Sequence, residues 1–491
     1  MGRGIAQLAA QSGCRVWLWD SRPGASAEAK EAIEAIWASL VAKGRLPSEE
    51  ARLASARLNV ASSLQQFADC HLVVEAITED LGAKRALMAD VEQIVPEATL
   101  LATNTSSLSV TAIAAALRRP ERFAGLHFFN PVPLMKVVEV VPGVRTAQSA
   151  CETLAGWVKE LGHAPVRAKD TPGFIVNHAG RGYGTEALRV LGESVSDVPT
   201  IDRILKDQLG FKLGPFELLD LTGLDVSHPV MESIYHQYFE EARYRPSVIT
   251  AQRLAGGLLG RKSGEGFYVH GPEGAVLAPE PPVPTKATLP PVWVSPKAAR
   301  RAELYQYLKG VGASIETGTA PSSQALILVA PLGLDVTTLA AVERLDPSRT
   351  VGIDMMLPDA EVKRRVLATN PATRADMRDA AHALFARDGK AVSVIRDSGG
   401  FVSQRVVATI VNIAADMCQQ GICTPGDLDT AVTLGLGYPV GPLALGDSIG
   451  PTNVLEILFN LQTVYGDPRY RPSPWLRRRG ALGLSLKHEE T

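Results

Sequence analysis

The sequence repeats itself at a constant distance, and this repeat constrains the fold more than any other feature. The register reaches from Arg122, Gly125 and Pro131, which match Arg349, Gly352 and Pro358, to positions near the carboxyl terminus. A chain of 491 residues that carries such a repeat is expected to form several domains in two related halves. Further matches at the same offset of 227 are Asp170, Gly173, Phe174, Asp202, Gly210, Gly214, Pro215 and Asp220, which recur as Asp397, Gly400, Phe401, Asp429, Gly437, Gly441, Pro442 and Asp447.

A proline-rich tract separates the two halves. Proline occupies positions 272, 279, 281, 282, 284, 290 and 291. Such a tract is typical of a semi-rigid linker at a domain boundary. The pattern turns helical after Thr171 as cap and Pro172 as first helical residue. We therefore predict a first domain at 1–169, a helical domain at 170–271, a linker at 272–291, a shortened counterpart of the first domain at 292–396 and a second helical domain at 397–480.

Composition and charge exclude several classes of protein. Hydrophobic residues make up 46% of the chain and charged residues 21%, and the formal net charge is −2. These values give no electrostatic attraction to nucleic acid or to an anionic membrane, and no apolar run reaches membrane-spanning length. The five cysteines form no C-x-x-C pair, which suits a reducing compartment. We predict a cytoplasmic protein without nucleic-acid or membrane partners and without a metal site.

A histidine near the end of an apolar run is the first candidate for chemistry. His127 lies in the run 123–129, which predicts a buried strand, and Glu139 lies in a second β-rich run, 137–141. Neighbouring strands would bring the carboxylate of Glu139 to one ring nitrogen of His127, and the other nitrogen could then act as a general base. The end of such a strand faces the ligand crevice of an open α/β sheet. A histidine in an apolar run is more often a hydrogen-bonded core residue, so the pair alone does not identify a catalytic site.

Three motifs together carry a family resemblance. They are N-T-S-S at 104–107, H-F-F-N-P at 127–131 and D-T-P-G-F-I-V-N at 170–177. With these motifs in this order, the chain resembles the L-3-hydroxyacyl-CoA dehydrogenase family over nearly its whole length. The resemblance implies NAD as cofactor, an acyl-CoA as substrate and a catalytic set of Ser106, His127, Glu139 and Asn177. Because Asn177 would belong to the helical domain, that domain is expected to close on the nucleotide-binding domain.

The resemblance also implies binding residues. The family positions that contact the cofactor fall on Glu79, Lys84, Ser106, Asn130 and Lys262. The position of a lysine that contacts coenzyme A falls on Lys43, at the bend between two helices predicted within 28–58. A cation near the 3′-phosphate of coenzyme A is physically reasonable. A solvated loop lysine is an equally good interpretation of Lys43.

The amino-terminal residues carry part of a dinucleotide-binding pattern. The run 14–19 predicts a strand that ends at Asp20, and such an acidic residue binds the adenosine ribose and disfavours a 2′-phosphate. Asp20 therefore favours NAD over NADP, although NADP stays an alternative because Arg22 follows two positions later. By resemblance, Gly2 takes the place of the family's third glycine, and the strand and two glycines before it are missing. Either an in-frame extension precedes Met1, which we expect, or the chain is short and binds NAD poorly.

The second copy lacks the catalytic residue types. At the same offset, Ser106, His127, Glu139 and Asn177 correspond to Gly333, Asp354, Val366 and Gln404. We therefore expect the second copy to have a structural role. In family members with one helical domain, that domain pairs with its twin across a dimer interface. The two helical domains are accordingly expected to pair within one chain, and a homodimer stays an open alternative.

These observations predict an α/β Rossmann-like domain that lacks its first strand, an all-α domain, and a degenerate second copy of both. The predicted function is NAD-dependent oxidation of L-3-hydroxyacyl-CoA to 3-oxoacyl-CoA, a step of the β-oxidation type in fatty acid metabolism. The tandem helical domains resemble long bacterial forms that act on 3-hydroxybutyryl-CoA or 3-hydroxyadipyl-CoA. One alternative is a non-catalytic structural or binding relative that has lost NAD binding, since a lens crystallin belongs to the family. A dehydrogenase of the 3-hydroxyacid or 6-phosphogluconate type fits less well, because such enzymes use a catalytic lysine and lack H-F-F-N-P.

Overall fold

The computed structural model describes residues 1–285 and 287–490. Its strands are β1 (Val16–Leu18), β2 (Leu58–Val60), β3 (Leu72–Glu75), β4 (Leu100–Thr103), β5 (Phe123–Phe128), β6 (Val137–Pro142), β7 (Ala164–Arg167), β8 (His270–Gly271), β9 (Gly274–Ala275), β10 (Val292–Val294), β11 (Ile315–Glu316), β12 (Leu326–Val329), β13 (Thr350–Ile353), β14 (Arg364–Thr369) and β15 (Ala391–Arg396). Its α-helices are α1 (Gly2–Gln11), α2 (Ala25–Ala42), α3 (Ser48–Arg57), α4 (Leu81–Glu92), α5 (Val110–Ala114), α6 (Gln148–Glu160), α7 (Val176–Ala179), α8 (Arg181–Gly192), α9 (Val198–Leu209), α10 (Pro215–Thr222), α11 (Leu224–Gln237), α12 (Val248–Ala255), α13 (Arg301–Gly310), α14 (Val336–Glu343), α15 (Ala375–Phe385), α16 (Ser403–Gln419), α17 (Pro425–Leu436), α18 (Pro442–Ile449), α19 (Pro451–Tyr465) and α20 (Pro474–Leu482).

The residues cluster into two compact units. The first contains Met1–His178 and Gly421–Leu436, and the second contains Ala179–Gln420 and the chain from Gly437 onward. Helix α17, which the sequence places in the second helical domain, therefore belongs to the first unit. The five predicted segments, the duplication and the missing first strand stay predictions.

A five-stranded sheet in the order β3-β4-β5-β6-β7 frames the first unit. Strands β3, β4 and β5 run parallel, whereas β6 is antiparallel to β5 and parallel to β7. Every residue of β5 is buried, which accounts for its nearly continuous apolar sequence. At Gly125 a β-carbon would lie 2.8 Å from Val110 Cγ2 and 2.9 Å from Val141 Cβ, so only glycine lets these elements approach so closely. The antiparallel register sets His127 directly opposite Glu139.

Helix α1 is covered on two sides. Ile5 and Leu8 join the apolar core of the five-stranded sheet. Ala6 and Ala10 pack in a second core with Ile33 and other residues of α2, α3 and β2. Strands β1 and β2 form a separate parallel pair beside these helices. The predicted strand within 14–19 and the two predicted helices within 28–58 are confirmed.

The predicted helix start at Pro172 is wrong, because the helix begins at Val176. Gly173 and Phe174 instead adopt positive φ angles of 78° and 47°. This turn directs the amides of Ile175 and Val176 onto the carboxylate of Glu139. These amides therefore donate to the buried carboxylate of Glu139 on β6, and the helix begins only after the turn.

A six-stranded sheet in the order β11-β10-β12-β13-β14-β15 lies in the second unit. Only β13 and β14 pair antiparallel among its described strands. Helix α8, from the first predicted helical domain, packs against α16, from the second. Buried Glu186 on α8 joins Arg405 on α16 at 2.6 Å and Arg469 at 3.1 Å. The two predicted helical domains thus contact each other within one chain, and a homodimer stays a prediction.

Within residues 1–285 and 287–490, none of the helices combines the length and the apolar character needed to cross a bilayer. The predicted cytoplasmic location stays a prediction.

Candidate active site

His127 and Glu139 form a buried hydrogen-bonded pair on adjacent strands. His127 Nδ1 lies 2.6 Å from Glu139 Oε2, and the two residues are 5% and 0% exposed. The rings of Phe129 and Phe174 border the imidazole, with centroids 4.3 and 5.8 Å away. Because Nδ1 faces the carboxylate, Nε2 is the nitrogen that can exchange a proton with a substrate.

The second carboxylate oxygen of Glu139 is also held. Oε1 accepts hydrogen bonds of 2.9 Å from the amides of Ile175 and Val176. A carboxylate that accepts from two amides and an imidazole is fixed in one orientation. Asn177 follows directly in α7 and is partly exposed, so the structure brings its backbone next to the pair. Sequence reasoning missed the two amides, because backbone groups leave no side-chain pattern.

Ser106 lies in the loop that follows β4 and is partly exposed. A side chain of the same loop binds the strand that carries His127, since Asn104 Oδ1 accepts a 2.8 Å hydrogen bond from the amide of Phe128. The loop is therefore bound to Phe128, the residue that follows His127. Asn104 belongs to the quoted motif, but its residue type alone gave no reason to assign it this role.

Glu79 organises the Ser106 loop from the other side. Its Oε1 accepts from Thr105 Oγ1 at 2.7 Å, and from the amides of Ser106 and Ser107 at 2.9 and 3.0 Å. Partial burial raises the pKa of Glu79, but the hydrogen bonds from Thr105 and Ser106 and the charge of Lys84 outweigh it and hold the pKa at about 2. Glu79 is therefore ionised throughout the working range of an enzyme.

Lys84 lies beneath Glu79 rather than on the surface. It is 1% exposed, and its Nζ lies 2.7 Å from Glu75 Oε1 and 3.2 Å from Glu79 Oε2. Thr103 Oγ1 donates to the other oxygen of Glu75 at 2.6 Å. Sequence analysis assigned no role to Glu75, because a single acidic residue at the end of an apolar strand forms no recognisable motif. The cofactor contact predicted for Lys84 stays a prediction.

The amino-terminal residues fit a dinucleotide. Asp20 is exposed just after β1, where a ribose can reach it. The guanidinium of Arg22 binds Glu28 at 3.1 and 2.5 Å, so the cation that could favour a 2′-phosphate is already paired. Gly2 opens α1, whose first amides suit a diphosphate. At Gly4 a β-carbon would lie 2.9 Å from Val132 Cβ, so glycine allows α1 its close approach.

The remaining predicted contacts lie elsewhere. Lys43 is exposed at the end of α2, and Asn130 is exposed two residues after β5. Lys262 belongs to the second unit, where its Nζ lies 2.5 Å from Asp225. The binding roles of these residues stay predictions.

Known proteins match the chain over nearly its full length. The model of the 3-hydroxyacyl-CoA dehydrogenase NAD binding domain matches residues 1–171, and that of the 3-hydroxyacyl-CoA dehydrogenase C-terminal domain matches 173–270 and 400–490. The 3-hydroxyadipyl-CoA dehydrogenase of Escherichia coli K12 is 39% identical over 98% of this chain and 96% of its own. Human mitochondrial hydroxyacyl-coenzyme A dehydrogenase is 39% identical over 55% of this chain and 87% of its own. The crystal structure of 3-hydroxybutyryl-CoA dehydrogenase from Escherichia coli K12 superposes with a TM-score of 0.85, at 37% identity over 98% of this chain and 96% of that chain.

Proposed function

The chain belongs to the 3-hydroxyacyl-CoA dehydrogenase family, and we propose that Ser106, His127, Glu139 and Asn177 form its catalytic site. The protein is an NAD-dependent oxidoreductase that converts an L-3-hydroxyacyl-CoA to the 3-oxoacyl-CoA. This enzymatic reading is favoured over the non-catalytic alternative.

The proposed residues divide the work by position. NAD, when bound, supplies the hydride acceptor. His127 Nε2 accepts the proton of the substrate 3-hydroxyl, and Glu139 stabilises the imidazolium that results. Ser106 donates a hydrogen bond to the hydroxyl oxygen, and Asn177 binds the same oxygen or the thioester carbonyl. Each such bond contributes on the order of 1–3 kcal/mol.

The observation that carries this proposal is the buried pair with its fixed carboxylate. Glu139 is bound through both oxygens, to His127 on one side and to two amides on the other. The imidazole is thereby held in one tautomer before substrate arrives, which removes reorganisation from the proton-transfer step. A core histidine in a purely structural role would not require a carboxylate held in this way.

For the substrate we propose the coenzyme A thioester of 3-hydroxybutyrate or 3-hydroxyadipate. These are the compounds in the names of the two relatives that match the chain end to end. The test is formation of NADH, followed by absorbance, with each (S)-3-hydroxyacyl-CoA at several concentrations. A kcat/KM above 10⁴ M⁻¹s⁻¹, the lower end of the usual enzyme range, with either compound supports the proposal. No NADH with any 3-hydroxyacyl-CoA would refute it.

A further inference from the structure

A helix from the second half of the chain packs against the strands of the first unit. Helix α17 contacts β6, which carries Glu139, and β7 beside it. Its buried residues Leu428, Ala431 and Val432 recur at the spacing of one helical face. Building on the proposed function, we propose that α17 is a positioning element for the His127–Glu139 pair.

The segment is fixed to the outer edge of the sheet. Amides along a strand alternate between its two edges, and the amide of Ala168 donates to β6. The amide of Lys169 points the other way and donates to the carbonyl of Ile422 at 2.8 Å. The amide of Arg167 makes a longer contact of 3.4 Å with Asp427 Oδ2. The segment 421–436 thus completes the edge that β7 would otherwise present to solvent.

The carboxyl-terminal end of α17 lies against the residue that holds Glu139. A β-carbon at Gly435 would lie 2.9 and 3.1 Å from the two methyl carbons of Val176, and 3.4 Å from Val137 Cγ1. The amide of Val176 donates to Glu139, and Val137 lies two residues before Glu139 on β6. Glycine at 435 therefore sets how closely the helix approaches the support of the catalytic carboxylate.

The same relation recurs at the repeat offset of 227. Helix α9 corresponds to α17 and strand β14 to β6, residue for residue. Within the second unit, α9 packs against β14, and the amide of Arg396 donates to the carbonyl of Val195 at 3.0 Å, the counterpart of the bond from Lys169 to Ile422. In each unit, then, a helix from one half supports a strand from the other half. Retention of a second half that lacks catalytic residue types follows from this support.

A displacement of Val176 would affect His127 through Glu139. Its amide would move from Glu139 Oε1, and the carboxylate would lose one of the bonds that orient His127. The proton-transfer step would then suffer, whereas the residues around Asp20 would keep their positions. A positioning role therefore predicts a loss in kcat without a loss in NAD affinity.

The test compares Gly435→Ala with Gly426→Ala in the full chain. Both substitutions lie on α17, but at Gly426 the nearest atom to an added β-carbon, Thr424 Oγ1, is 3.9 Å away. We expect Gly435→Ala to lower kcat about tenfold, with the Kd for NAD within twofold of wild type and Gly426→Ala unchanged. Adding Val176→Ala to Gly435→Ala removes the two clashing methyl groups, so kcat should return to within about threefold of wild type.

A second measurement keeps this inference separate from the proposed function. In protein labelled with ¹⁵N-histidine, the proton between His127 and Glu139 should give a low-field resonance that moves in Gly435→Ala but not in Gly426→Ala. An unmoved resonance, or equal loss of kcat and NAD affinity in Gly435→Ala, would overturn the role of α17. Absence of dehydrogenase activity in the wild-type chain would instead count against the proposed function, and the resonance would still decide the role of α17.

Discussion

The backbone amide of Phe128 donates a 2.8 Å hydrogen bond to the side-chain oxygen of buried Asn104. This bond joins the loop that carries Ser106 to the strand that carries His127. The two side chains proposed as catalytic come from a loop and from a strand, so their relative position depends on contacts of this kind.

Removing the Asn104 acceptor should therefore separate Ser106 from His127. We expect Asn104→Leu to lower kcat about tenfold or more and to destabilise the fold by about 1–3 kcal/mol, because a buried amide loses its partner. Asn104→Asp keeps the acceptor oxygen and serves as the matched control. The measurement is steady-state turnover together with urea unfolding. Equal turnover in Asn104→Leu and Asn104→Asp would show that the bond does not position the loop.

Asp354, at the repeat position of His127, makes stability depend on pH. Burial raises its pKa to about 6, although Gln404 and the amide of Met356 donate to it. Its Oδ2 has no hydrogen-bond partner among the described residues. Because the pKa is raised in the folded state, the stabilising contribution is complete below the unfolded value of roughly 4 and is lost as pH rises through about 6.

Asp354→Asn should consequently stabilise the protein only at higher pH. We expect a gain of roughly 3 kcal/mol in the free energy of unfolding at pH 8 and almost none at pH 4, since the shift spans about two pKa units and each unit corresponds to about 1.4 kcal/mol. Urea unfolding of the wild type and the variant at both pH values is the measurement. A gain of the same size at pH 4 would assign the effect to something other than ionisation of Asp354.

We expect the second half of the chain to be needed because it covers apolar surfaces of the first half. A chain that ends at Pro272 lacks α16, which packs on α8, and α17, which packs on β6 and β7. Large exposed apolar faces lead to association, so we expect light scattering to show aggregation or a new homodimer. A soluble, monomeric and fully active truncated protein would contradict the structural role assigned to the second half.

Local patterns were sufficient to predict that His127 and Glu139 lie side by side. The apolar runs at 123–129 and 137–141 predicted β5 and β6, and their antiparallel register brings His127 to Glu139. Alternation along strands makes such a pairing readable from sequence once two neighbouring strands are known.

Contacts between distant segments were not predictable in the same way. The helix expected from Pro172 starts later because Glu139, on β6, accepts hydrogen bonds from the amides of Ile175 and Val176. Helix α17 was assigned correctly as a helical segment, but its packing on β6 depends on the course of the whole chain. The need for glycine at 435 becomes clear only from the structure, which places Val176 against it.

The most direct test of the catalytic assignment is turnover of His127→Gln beside Asp354→Asn, its repeat counterpart, in the full chain. General-base catalysis typically contributes at least about 10²-fold, so His127→Gln should lower kcat by at least that factor with little change in NAD affinity. Asp354→Asn should leave turnover at neutral pH within about threefold of wild type. Comparable losses of kcat in the two variants would contradict the assignment of the chemistry to the first half alone.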